Sequence, residues 1–159
     1  MKQKKYVFIE VLCIAGLAAF ITMLCLSRAG GTQKELSEVA APVVEAMQEG
    51  EMTKKSNADA AKTFQLDLTK TEDVVYYSND NIMDVSELLI VKLKDSEDAS
   101  EFEDAIKVRI NDRKNLYKSY APEQYSLLNN SIVEVSGNTV FYCTSQNADK
   151  LYDVFKNAL

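Results

Sequence analysis

Apolar residues are arranged along this chain in three ways, an unbroken run, a helical period and a period of two, and the changes between them mark out its elements. From Tyr6 to Leu26 the run is apolar except for Glu10 and Thr22 and has no polar face. At about 1.5 Å rise per residue a helix of this length spans about 30 Å, the hydrocarbon thickness of a bilayer. Leu36, Val39, Ala40, Val43, Val44 and Met47 then return at helical spacing, with Pro42 as a kink point and Gly50 as the stop. Met52 to Asn57 reads as polar linker, and a shorter helix from Ala58 to Gln65 would bury Ala61 and Phe64. Period two follows: strands are predicted at Val74 to Tyr77 and Leu88 to Leu93, separated by the turn-forming Ser78, Asn79, Asp80 and Asn81. After Asp95 and Ser96 a long helix is predicted to about Tyr120, with Ala99, Phe102, Ile106, Ile110 and Tyr117 on one side. Pro122 opens a short helix with Glu123 in its first turn. Ile132 to Ser136 and Thr139 to Thr144 form a hairpin across Gly137 and Asn138, and Asn147 begins a final helix.

The order predicts an α+β fold: an N-terminal transmembrane helix, then an antiparallel four-stranded sheet packed with helices. Strand, strand, helix recurs in its latter two thirds, which suggests one unit used twice. A two-residue turn pairs Ser136 with Thr139 and Ile132 with Cys143, placing Val133, Val135, Val140 and Tyr142 on one face and Ile132, Phe141 and Cys143 on the other. Leu89, Val91 and Leu93 likewise oppose Leu88 and Ile90. Both faces need cover. The long and final helices are expected on one face and the N-terminal helices over part of the other, any uncovered remainder being a binding surface.

Charge divides the chain. Lys2, Lys4, Lys5 and Arg28 against Glu10 give residues 1–31 a charge of +3, so the total of −6 leaves −9 on the rest. The lysines before the apolar run orient its N-terminus to the cytoplasm. Residues 1–29 are thus read as a cytoplasmic Lys cluster and membrane anchor, 30–34 as a short linker, and 35–159 as an extracytoplasmic domain with a helical N-terminal part (35–65) and a core (74–159). The expected location is the plasma membrane, single-pass, with the partner close to the bilayer because the Gly30-Gly31 joint is short. Ser27 and Ala29 stand at a signal-peptidase spacing, and cleavage after Ala29 would make the domain secreted. Neither Cys13 nor Cys25 follows the small residues that a lipoprotein signal wants, and Glu10 lies near enough to the cytoplasmic boundary to reach the interface.

An acidic domain is a poor nucleic-acid binder. Cys143 is the single cysteine after residue 31, so this part has no internal disulfide. The chain contains no histidine, which excludes Ser-His-Asp, Cys-His and His-ligated zinc chemistry, and it has no glycine-rich phosphate loop. No cofactor or metal site is implied. Cys143 without a histidine partner reads as a buried strand residue. Paired carboxylates, Asp84 with Glu87 for example, leave acid/base chemistry on a glycan or peptide as an alternative.

On a helical wheel Phe102 and Tyr120 coincide, Ile106, Tyr117 and Ala99 lie near, Arg113 falls inside that apolar arc and Arg109 beside it. A guanidinium there must snorkel, pair with a carboxylate such as Asp84, Glu87 or the C-terminus, or meet a ligand anion. Arg109, Arg113, Tyr117, Tyr120 and Gln124 are therefore the candidate ligand-binding set. Tyr117, Tyr120 and Tyr125 could also offer a stacking surface, against the simpler reading of core packing.

Val75-Tyr76-Tyr77, Met83 to Asp95, Arg109 to Leu128 and the Gly137-Asn138 turn with Val140 resemble a family of short membrane-anchored proteins from low-GC Gram-positive bacteria, catalogued as a domain of unknown function. The likeness rests on the spacing around Tyr120-Ala121-Pro122-Glu123-Gln124. It implies an anchored or exported domain and supplies no activity or active site. The expectation is a non-enzymatic binding module for a protein or cell-envelope component, with a carboxylate-using envelope enzyme or a small-ligand sensor as alternatives.

Overall fold

Every residue of the strand Glu87–Leu93 is buried, including Glu87 and Lys92. Such a strand must sit mid-sheet with both faces covered, and it does. The computed structural model describes residues 16–17, 34–47 and 52–159. Apart from Gly16 and Leu17, which are helical, the predicted anchor and its lysines, Glu10, Cys13, Cys25, the cleavage point at Ala29, the Gly30-Gly31 joint and the Gly50 stop lie outside the described residues. Among the described residues no helix is long and apolar enough to cross a membrane.

The strands are β1 (Thr53–Lys55), β2 (Thr71–Ser78), β3 (Glu87–Leu93), β4 (Ile132–Ser136) and β5 (Thr139–Thr144), all antiparallel in the order β1-β2-β3-β5-β4. The helices are α1 (Leu36–Ala46), α2 (Asn57–Phe64), α3 (Ala99–Tyr117), α4 (Pro122–Asn129) and α5 (Ala148–Ala158). Two 3₁₀ turns, Leu68–Lys70 and Ser96–Asp98, lead into β2 and α3.

The fold is α+β as expected, but the sheet has five strands where four were predicted. The extra one, β1, lies in the stretch read as polar linker. Thr53, Lys54 and Lys55 pair with Ser78, Tyr77 and Tyr76 at the sheet edge, where polar and lysine side chains suffice and no apolar alternation arises. The β4–β5 hairpin has the predicted register, from Ile132 opposite Cys143 to Ser136 opposite Thr139. Gly137 takes φ 59° at the first central position, which makes the turn type II′.

The cover of the two faces differs from expectation. Phe102, Ile106 and Ile110 of α3 join Ala60 and Phe64 of α2 over Leu89, Val91, Val140 and Tyr142. Leu36, Val39 and Val43 of α1 join Leu151 and Phe155 of α5 over Leu88, Ile90, Phe141 and Cys143. So α3 and α5 lie on opposite faces. A two-fold exchanging the antiparallel neighbours β3 and β5 must stand perpendicular to the sheet, which would keep both helices on one face. The two strand-strand-helix units are therefore not related by such a symmetry.

Local chemistry sets the ends. Ser56 and Asp59 form a reciprocal capping box on α2, and Gln65 closes that helix in the left-handed region at φ 57°. Pro42 lies within α1, which continues to Ala46. Pro122 stands in the first turn of α4, as predicted. α3 stops at Tyr117, three residues short of the predicted end, because Pro122 biases Ala121 away from helical geometry. At the far end of β3 the Lys92 Nζ donates to the Lys34 carbonyl at 2.9 Å and lies 3.2 Å from the Glu72 carboxylate. That fixes the start of the described domain to the end of the sheet opposite Glu87.

Candidate functional site

Glu87 begins β3 and points to the same face as Leu89, Val91 and Leu93, into the space beneath α3. An unpaired carboxylate there would be untenable. Arg109, one turn before Arg113 on α3, meets it with two bonds: Nη2 to Oε1, and Nε to Oε2 at 3.1 Å. Arg113 adds Nη1 at 3.1 Å from Oε2. The phenols of Tyr76 and Tyr142 donate to Oε1 and Oε2, both at 3.1 Å. Thr144 donates to the Tyr142 oxygen at 2.9 Å and lies 2.7 Å from the Ser131 hydroxyl, so the network reaches the end of β5. Burial, reinforced by the charge of Glu87, pushes the Tyr142 phenol well above its ordinary pKa and raises that of Tyr76. Burial presses the Arg109 guanidinium down, but its hydrogen bond and charge pairing with Glu87 carry it above its usual value. Phe64 stacks edge-on against Tyr76 and Tyr142 and lies under the Arg109 guanidinium, 5.1 Å from its ring centroid.

Helix α3, now with α4, also holds the connection between β2 and β3. Arg113 Nη2 donates to the Asp84 carbonyl at 3.0 Å, and its Nη1 to that of Val85. The Tyr117 hydroxyl donates to the Ile82 carbonyl at 2.8 Å, while the Gln124 Oε1 accepts the Val85 N–H at 2.9 Å. Val85 itself is fully buried against Tyr117 and Leu128. From the other side Thr53 of β1 bonds the Asp80 carboxylate at 3.0 Å and Lys55 pairs with it, holding that carboxyl below its usual range. Within the loop, Asn79, Asn81 and Asp84 side chains accept the N–H groups of Asn81, Met83 and Ser86.

Four of the five candidates, Arg109, Arg113, Tyr117 and Gln124, thus converge on Glu87 and the Asn79–Ser86 loop. Tyr120 does not: with α3 ended, it is half exposed, its ring 5.5 Å from that of Tyr117. Of the three pairing partners weighed for Arg113, Glu87 takes its guanidinium by carboxylate and Asp84 only by its main-chain carbonyl. As an acid/base couple Asp84 and Glu87 have no idle oxygen, since Glu87 accepts from four side chains and Asp84 accepts from Ser86 and Asn79. Cys143 is buried.

Sequence reasoning missed Glu87 as the centre, and with it Tyr76 and Tyr142. Strand parity held the signal. Extending Leu89, Val91, Leu93 back by two puts Glu87 on the core face, and Tyr76 and Tyr142 both pair with Leu89.

Two clefts flank the arginines. One, about 360 Å³, lies under the loop and includes Ile82, Leu116 and Tyr117; the other, about 400 Å³, lies between α2 and α3. No curated protein and no solved structure matches the chain. A family model described as a domain of unknown function, DUF4358, matches residues 45–145, a span that contains the whole sheet, the Glu87 cluster and the loop it anchors, and the chain belongs to that family.

Proposed function

We propose that this protein is a membrane-anchored extracytoplasmic binding module, and that it presents the Asn79–Ser86 loop to a protein of the cell envelope. The observation that carries the reading is the contrast within Ile82. Its carbonyl is fixed by Tyr117, yet the residue is 86 % exposed. Met83 beside it, and Leu116 and Tyr120 on the neighbouring turns, are also exposed. Three elements hold this loop in place, so little ordering cost remains when a partner docks. Apolar and aromatic side chains on a rigid support are what protein interfaces use as anchors.

The anchor rests on the Lys-flanked run from Tyr6 to Leu26. An anchor before Lys34 joins the domain at the Lys92 end of β3, whereas the loop leaves the Glu87 end, about 17 Å of strand away. The proposed partner is therefore met on the side away from the bilayer. That differs from the expectation drawn from the short joint alone. The enzyme alternative is disfavoured by the saturated oxygens of Asp84 and Glu87.

A photocrosslinking residue placed at Met83 of the full-length protein in its native membrane tests this. A discrete crosslinked protein is expected, absent with the probe at Lys156 on α5 and lost on adding Ile82→Asp. Equal crosslinking from both positions, or none from Met83, would overturn the proposal.

A further inference from the structure

We propose that the cleft between α2 and α3 is a second site, which binds a small organic carboxylate on Arg109 and Arg113. Its lining includes no residue of the Asn79–Ser86 loop, with which it shares only Arg113, the donor to the Asp84 and Val85 carbonyls. The argument starts from an imbalance of charge. Two partly buried guanidiniums, their side chains 25 % and 13 % exposed, share one buried carboxylate, so the cluster holds an excess positive charge. Asp112 also lines the cleft but is exposed to water and makes no ion pair with either arginine, so the excess stands.

Each arginine also retains donor capacity. Arg109 spends Nε and Nη2 on Glu87, and Arg113 spends Nη1 and Nη2 on Glu87 and two carbonyls. Among the described residues nothing accepts from Nη1 of Arg109 or Nε of Arg113. Both side chains line the cleft of about 400 Å³, within the range of small-molecule sites. An oxyanion can take these N–H groups and the unbalanced charge together.

The rest of the lining selects the class of anion. Phe64, Ala105 and Val108 supply an apolar wall, with Thr63 and Gln65 as polar rim. Inorganic phosphate would leave that wall unused, whereas an organic acid fills it with its hydrocarbon part. Gln65 holds its place there in a left-handed conformation that favours glycine, and a glycine would close the helix without presenting a side chain to the cleft.

Benzoate is the probe, titrated calorimetrically into the full-length protein in detergent, with benzyl alcohol and inorganic phosphate as comparisons. Saturable benzoate binding with a Kd of about 1 mM or tighter is expected, with phosphate at least tenfold weaker and no response to benzyl alcohol. Val108 is 57 % exposed, so Val108→Glu should fold normally and place a competing carboxylate at the cleft. It should weaken benzoate at least tenfold relative to Val108→Gln, which changes the same wall position without adding a charge. No saturable benzoate binding, phosphate binding tighter than benzoate, or equal benzoate affinity in Val108→Glu and Val108→Gln would each overturn the proposal.

Discussion

Glu87 and Arg109 meet as a two-point pair between the central strand and the long helix, and Glu87 lies 3 % exposed at the centre of five donor contacts. Removing one side of such a pair leaves charge without compensation. Glu87→Gln is therefore expected to lower stability by about 3–5 kcal/mol in denaturant unfolding. Replacing all three charges together, Glu87→Leu with Arg109→Met and Arg113→Met, should recover most of that loss, because desolvation of the charges disappears with them. A near-neutral Glu87→Gln would show that the cluster is solvated in solution.

Gln124 and Tyr117 anchor the same loop with unequal consequences. Gln124 satisfies an N–H on a fully buried residue, Val85, which has no route to water. Gln124→Leu should cost about 1–3 kcal/mol. Tyr117 satisfies the carbonyl of exposed Ile82, so Tyr117→Phe lets that oxygen return to solvent and should cost at most about 1 kcal/mol. Hydrogen exchange tests the role the two share. Both variants should speed exchange in Asn79–Ser86 and leave β3 and β5 protected, and uniform loosening of the sheet would contradict the local role assigned to these side chains.

Tyr76 and Tyr142 set the alkaline limit of the fold. Burial first, and the negative charge of Glu87 second, raise both phenols in the folded state. The unfolded chain loses these protons near pH 10 while the folded chain keeps them. Their contribution to stability is thus complete below about pH 10 and lost as pH rises toward the folded values. Tyr76 and Tyr142, two of the eight tyrosines in the chain, should ionise only together with unfolding. Phenolate absorbance and circular dichroism, followed over the same alkaline titration, check this. Tyr142→Phe should shift the alkaline midpoint upward relative to its own stability at neutral pH. Ionisation of all eight before loss of structure would refute the assignment.

Much of this arrangement was legible beforehand because it rests on local or period-two rules. The hairpin register follows from the two residues Gly137 and Asn138, and Pro122 with Glu123 announces α4. The convergence of Arg109, Arg113 and Tyr117 followed from their shared helix face. What stayed hidden was non-local. β1 carries no apolar pattern because at an edge its main-chain ladder and the polar contacts of Thr53 and Lys55 need none, and the face each helix covers depends on the handedness of its connection. Tyr120 departs from the helical wheel for a local reason, since Pro122 ends α3 before the wheel reaches it. Glu87 looks like a strand boundary in the sequence because one charged residue before four apolar ones breaks the pattern that its own position continues.

Gln65 gives the last prediction, and it sets stability against binding. A side chain in the left-handed region costs about 1 kcal/mol relative to glycine, part of which is offset by the greater freedom of glycine in the unfolded chain. Gln65→Gly should therefore stabilise the fold by about 0.5–1 kcal/mol, read as a higher urea midpoint with an unchanged slope. Gln65→Ala keeps the backbone strain and loses only the amide, so it should leave the midpoint nearly unchanged. If the amide contributes to the cleft between α2 and α3, both substitutions should weaken benzoate, and by similar factors. The glycine variant would then be the more stable protein and the poorer binder, the pattern expected where a costly conformation is kept for what the side chain does. A glycine variant that is more stable and binds benzoate as well as the parent would assign Gln65 no part in the site.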